Sequence, residues 1–220
     1  MSNYSFSTSE EHDLPRAVSA DRFGTYLRET GGDRQRALAL YEWNMAVSAA
    51  FWTPLHLCEV VVRNGIVDAI EAVHTSAWPV TRGFLASLPD PIRGYNPRKE
   101  VTAKGQRHPT TGKVVADLTL AFWEQMLTKR HDDRIWNGHF RACFPNASGL
   151  SVAGDRKDMH NDVFAIRKLR NRIAHFEPVF ARNLADDLER LVRLTSRRSR
   201  TAATYIERIE TVTPLLSVRP

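Results

Sequence analysis

Residues 167–180 read RKLRNRIAHFEPVF and gather the side chains that phosphate chemistry uses. Arg167, Lys168, Arg170 and Arg172 precede His175, and Asn171 stands between two of the arginines. Cleaving an RNA phosphodiester takes a base for the 2′-hydroxyl, an acid for the departing 5′ oxygen and positive charge on the crowded phosphorane. Histidine titrates near neutrality and serves as either acid or base. Arginine keeps its charge and offers a planar fork to phosphate oxygens. An arginine–histidine pair beside a polar residue is therefore chemically sufficient. Sufficiency is not assignment, because Arg-x4-His is a loose pattern. It recurs as RIWNGH at 134–139, where isoleucine follows the arginine and Trp136 and Phe140 read as core positions. After Arg170 comes Asn171, which can orient a side chain or bind phosphate.

The element that carries this stretch limits what it can do. Val163, Ile166, Leu169, Ile173 and Phe176 recur at three- and four-residue steps, which predicts one helix with these residues on its buried face. Five residues of helix turn the second side chain by roughly 140° from the first, so Arg170 and His175 do not share a face. Glu177 precedes Pro178, which biases it out of the helical region and ends the helix near His175 or Phe176. A bent helix end, or two copies meeting across a dimer axis, would bring the pair together. The alternative is a solvated Arg170 and Arg172, with His175 capping the last carbonyls.

The remaining elements read as helices too. Apolar stripes run from Asp33 to Phe51, again from Pro54 to Val73, and from Val114 to Leu127, with a shorter one through Ile135, Trp136 and Phe140. Thr53-Pro54 is expected to restart the chain, with the proline in a first turn. Leu184, Leu188, Leu191 and Val192, then Tyr205, Ile206 and Ile209, extend the pattern. No strand-like alternation appears, and the fold class is all-α. Between Pro89 and Lys113 the pattern collapses into a proline- and glycine-rich stretch holding Arg93, Arg98, Lys99, Lys104, Arg107 and Lys113 against Glu100. It reads as a long basic loop, either solvated or an electrostatic clamp on a phosphate backbone.

With 220 residues, 42% hydrophobic and 25% charged, the chain suits one soluble core. A net charge of +6 favours polyanionic partners without choosing among them. No apolar run reads as long enough to cross a bilayer, and residues 1–15 read as a polar tail rather than a secretory signal. Cys58 and Cys143 read as buried thiols of a reducing compartment, hence a cytoplasmic location. His56, His74, His108, His131, His139 and His160 lack metal-ligand spacing, and no metal or other cofactor is implied.

The string LRNRIAHFEPVF resembles the signature of the Abi-like (abortive infection) branch of the HEPN superfamily. Residues 52–70, WTPLHLCEVVVRNGIVDAI, resemble that group's earlier helix, with Glu59, Arg63 and Asn64 at its polar positions, and 114–127 resemble its middle helix. The resemblance covers about residues 35–195. Phe176 stands where the family often has a second histidine, and packing is expected there. Glu177 stands where the toxins of nucleotidyltransferase-paired systems have tyrosine, which argues against that branch.

The resemblance implies a HEPN-type helical bundle over residues 16–215, with additional helices and the 89–113 insertion. It implies a metal-independent endoribonuclease that leaves 2′,3′-cyclic phosphate and 5′-hydroxyl ends, in phage defence or toxin–antitoxin growth arrest. Arg170 would stabilise the phosphorane, His175 would transfer protons and Asn171 would orient the arginine or the phosphate. A homodimer with its active site at or near the interface is implied, with an antitoxin protein or a regulatory RNA as a further partner class and no membrane. Glu59 and Arg63, four residues apart, read either as a plain ion pair within the helix or, with Asn64, as a group behind the site, because charge in an apolar stripe is costly unless it holds another polar group. Arg167, Arg172, Arg93, Arg98, Lys99 and Arg107 are the expected RNA contacts. The alternative is a non-catalytic RNA- or protein-binding module, and a third reading is an enzyme silenced by a partner docked on 89–113.

Overall fold

The computed structural model describes residues 6–220, and among them there is no strand. Its α-helices are α1 (Thr8–Ala17), α2 (Ala20–Glu29), α3 (Arg34–His74), α4 (Arg82–Ser87), α5 (Pro97–Arg107), α6 (Thr111–Asp117), α7 (Leu120–Met126), α8 (Asn137–Cys143), α9 (Val152–Ala174), α10 (Leu184–Arg198), α11 (Arg200–Ile209) and α12 (Val212–Ser217). A π-helical turn, Asp132–Trp136, leads into α8.

The axis of the molecule is α3. Asp33 caps its first turn by accepting the Arg36 N–H at 3.0 Å. The helix then runs through Pro54, where a restart was expected. The proline removes one backbone hydrogen bond, but Phe51, Leu55 and Cys58 are buried around it, and burial of an apolar face is what holds most protein helices. The continuous helix is long and apolar enough by composition to cross a bilayer, which no run of the sequence had been read to be. Here that apolar face is covered by α2, α8, α9, α10, α11 and α12. The approach to α8 is close. A Cβ on Gly65 would sit 2.8 Å from the Phe144 ring, so only glycine fits at that point of α3.

Two readings of irregular chain are corrected. Of the expected tail, residues 1–5 lie outside the described residues, and α1 is a helix opened by a capping box of Ser7 and Glu10. Gln35 ties it to α3, accepting from Phe6 N at 3.0 Å and donating to Phe6 O at 3.1 Å. The expected 89–113 loop is mostly α5 and the start of α6. Asn96 and Thr110 cap these helices, and Pro97 occupies a first turn, where its missing N–H is harmless. Conversely, the single helix expected over 114–127 is broken at Leu118-Thr119. Glu100 of α5 takes the Thr119 N–H at 2.9 Å and its hydroxyl at 3.0 Å, which pins the start of α7.

The helix α9 is fixed on two sides. Val163, Ile166, Leu169 and Ile173 are buried against the core, as their spacing predicts. On the side of α10, buried Asp162 accepts from Arg190 at 3.0 Å and from Arg193 at 2.8 Å. One carboxylate shared by two guanidinia fixes how α10 lies along α9.

Candidate nucleic-acid interface

The end of α9 is built by the backbone. His175 N–H bonds Asn171 O at 2.9 Å, Phe176 N–H bonds Ile173 O at 3.0 Å and Glu177 N–H bonds Arg172 O at 2.8 Å. This is the Schellman arrangement, which needs a left-handed residue just past the cap. Phe176 fills that place with φ 56° and is 78% exposed. The packing expected for it is therefore absent: the helix terminates before its next apolar position can turn inward. Arg22 of α2 donates to Phe176 O at 2.9 Å, and Asn44 of α3 accepts the Val179 N–H at 2.8 Å. Those two bonds hold the chain that leaves the helix.

Arg170 faces α3. It lines a cleft of about 240 Å³ with Trp52, His56, Glu59 and Arg63. It also lines a larger one, about 800 Å³, with Glu59, Asn171, Arg167, Lys99 and the α5–α7 segment. Arg170 and Glu59 thus form the ridge shared by both. The Nε atoms of Arg63 and Arg170 are buried with no hydrogen-bond partner, and Glu59 bonds neither. A buried donor without an acceptor loses its hydration and gains nothing in return. Two such guanidinia on one cleft make a place where an anionic oxygen would be stabilised.

The other expected residues separate into used and free. Arg167 donates from Nε to buried Glu124 at 2.6 Å and fastens α9 to α7. Arg172 donates to Pro178 O at 3.0 Å, a bond that shapes the chain after the helix. Arg98 is held by Asp90 at 3.2 Å and Leu88 O at 2.8 Å, so it closes the end of α4. Arg107 lies 3.8 Å from Asp117. Of these four, expected as RNA contacts, Arg167 and Arg98 join one element to another, Arg172 holds the chain after its own helix, and Arg107 makes a long, exposed ion pair. Arg93 and Lys99 are exposed and make no side-chain bond among the described residues, and Lys99 alone of the basic segment's expected contacts lines the Arg170 cleft.

Asn64 is corrected as well. It is exposed and lines neither cleft, whereas Glu59 and Arg63 do. His175 is exposed and also lines neither. The roughly 140° turn over five helical residues accounts for this. Two residues were not expected at the site. Trp52 and His56 lie on one stripe of α3 with Glu59 and Arg63, at steps of four, three and four, and that polar stripe on a core helix was the available signal.

The buried thiols are poor nucleophiles. Burial pushes Cys58 up to about 12, and burial also raises Cys143. Comparison of the chain with family models, with curated proteins and with solved structures gives no match in any of the three.

Proposed function

We propose that this chain is a cytoplasmic, HEPN-type RNA-cleaving protein acting as a homodimer in defence or growth arrest. The observation that carries the reading is Arg170, whose buried Nε lacks a partner at the junction of two clefts. In the reaction the substrate 2′-oxygen attacks phosphorus, the P–O5′ bond breaks and the cyclic phosphate remains. Arg170 stabilises the phosphorane, where charge is greatest, and Asn171 on the larger cleft orients the phosphate. His175 of a second copy transfers the protons, since His175 of the same chain lies outside the clefts. The geometric separation within one chain supports a dimer for the cleaving form. The same separation favours, as a second reading, a module that binds RNA without cutting it.

The test is an end-labelled mixed RNA incubated with excess EDTA and either wild type, Arg170→Ala or His175→Ala. Cyclic-phosphate ends from wild type alone are expected. Binding by all three proteins without cleavage by any would replace the nuclease with the binding module. Equal cleavage by all three would remove both residues from the chemistry.

A further inference from the structure

The smaller cleft contains more than the two arginines require. Trp52 is 43% exposed, although the other four tryptophans, Trp43, Trp78, Trp123 and Trp136, are 4% exposed or less. An indole left in water on the core helix is the exception in this molecule. It belongs to the stripe Trp52, His56, Glu59 and Arg63, whose spacing keeps the four side chains within about 60° of one another around the axis. The stripe extends along about 16 Å of helix, and Arg170 of α9 closes its far wall. A flat π-face, an imidazole and two unpaired guanidinia therefore line one groove.

From this juxtaposition we propose that the cleft is a subsite for single-stranded RNA, in which a base stacks on Trp52 while Arg63 and Arg170 hold the phosphate of the same short run. The inference rests on the RNA reading above and adds where the strand lies. Stacking of bases on aromatic rings tolerates any sequence and favours single strands, whose bases are free of a partner. The terminal N–H groups of the two guanidinia, which bond no acceptor among the described residues, gain one from the phosphate. Glu59 leaves a single net positive charge among the three ionic groups, enough for one phosphate.

The experiment is an intrinsic-fluorescence titration of the full chain with short 2′-O-methyl oligouridylate, paired with anisotropy of the same oligonucleotide carrying a dye. Blocking the 2′-oxygen prevents cleavage, so binding is read alone. Wild type is expected to show saturable quenching, because the exposed indole is the one a base reaches. Trp52→Ala is expected to lose the quench and to bind roughly 10-fold more weakly. Trp52→Phe, which keeps a ring and preserves the surface, is expected to lose the quench with a smaller loss of affinity. Arg63→Gln is expected to lower the salt dependence of binding by about one phosphate contact. No binding by wild type overturns the subsite, as does binding in which Trp52→Ala matches wild type. Binding by this route without cleavage of ordinary RNA would leave the subsite standing and remove the nuclease.

Discussion

The basic segment 97–117 and the cleft between α3 and α9 both concentrate positive charge, yet they differ in what that charge is doing. In the segment, Lys104 lies 2.8 Å from Glu100, and Asp117 receives His108 at 2.9 Å with Arg107 at 3.8 Å. The His108 hydrogen bond and the nearby cations hold the Asp117 carboxyl below the usual range. Lys104, Arg107 and His108 thus turn to the protein itself, while Lys99 stands free beside the larger cleft. In the cleft, Arg63 and Arg170 hold nothing, although their Nε atoms are buried. A count of charges favours the segment, but most of its charges are paired, whereas the two arginines of the cleft are not.

The sharpest test of that difference compares two arginines one turn apart. Arg170→Ala is expected to reduce RNA cleavage by roughly 100-fold or more, the scale for removing one donor aimed at a developing oxyanion. Its thermal stability should stay at or slightly above wild type, because a cation without a partner is removed. Arg167→Ala should do the reverse. It strands the Glu124 carboxylate, 5% exposed, and is expected to cost about 3–4 kcal/mol in urea unfolding. Restoring most of that stability with Glu124→Leu in the Arg167→Ala background would confirm the cause. Equal stability loss in both single variants would end the distinction between used and free arginines.

The sequence carried the core better than it carried the site. Apolar periodicity placed Leu55, Cys58, Val62 and Ile66 on one buried face, and the helical class followed. Breaks were misplaced wherever a side chain from a distant element decided them. Thr119 breaks a helix because Glu100, nineteen residues earlier, takes its N–H, and Pro54 fails to break one because the apolar face around it is buried. Around the site, residue types were legible but partners were not. Arg167 and Arg170 read alike in the string, and only Glu124 on α7 separates them. Trp52 and His56 were hidden for the opposite reason: the stripe they form makes sense only once α9 stands beside it.

The same contrast between paired and unpaired groups extends to the imidazoles. His108 rests on Asp117, while His131 is 2% exposed with Nε2 unpartnered. Burial, with the cations of Arg130 and Arg134 assisting, lowers His131 from 6.5 to about 4. Between those values the unfolded chain binds a proton that the folded chain refuses. Stability is therefore undiminished above pH 6.5, falls as pH drops towards 4 and levels off below it. The loss attributable to this residue is expected to be about 3 kcal/mol. His131→Phe, which cannot titrate, should flatten that part of the urea stability profile between pH 4.5 and 6.5 relative to wild type. An unchanged slope would show that His131 is protonated, or solvated, in the folded chain.

The smallest expected effect separates the helix end from the cleft. Phe176 adopts φ 56° to complete the termination of α9, a conformation that bulky residues enter only at a cost, and its ring lies in water. Glycine enters the same region without that cost. Phe176→Gly is therefore expected to raise stability by about 1 kcal/mol in dilute protein, with oligonucleotide affinity at the cleft unchanged. A loss of stability would mean that the ring packs on something outside one chain. If the loss grew with protein concentration, a second copy would be what it packs on. His175, one residue away and outside its own chain's clefts, would then lie at a dimer contact, where the cleaving form needs it. The two ends of the arginine–histidine pair are separate in one chain, and this substitution tests whether the second end has a partner.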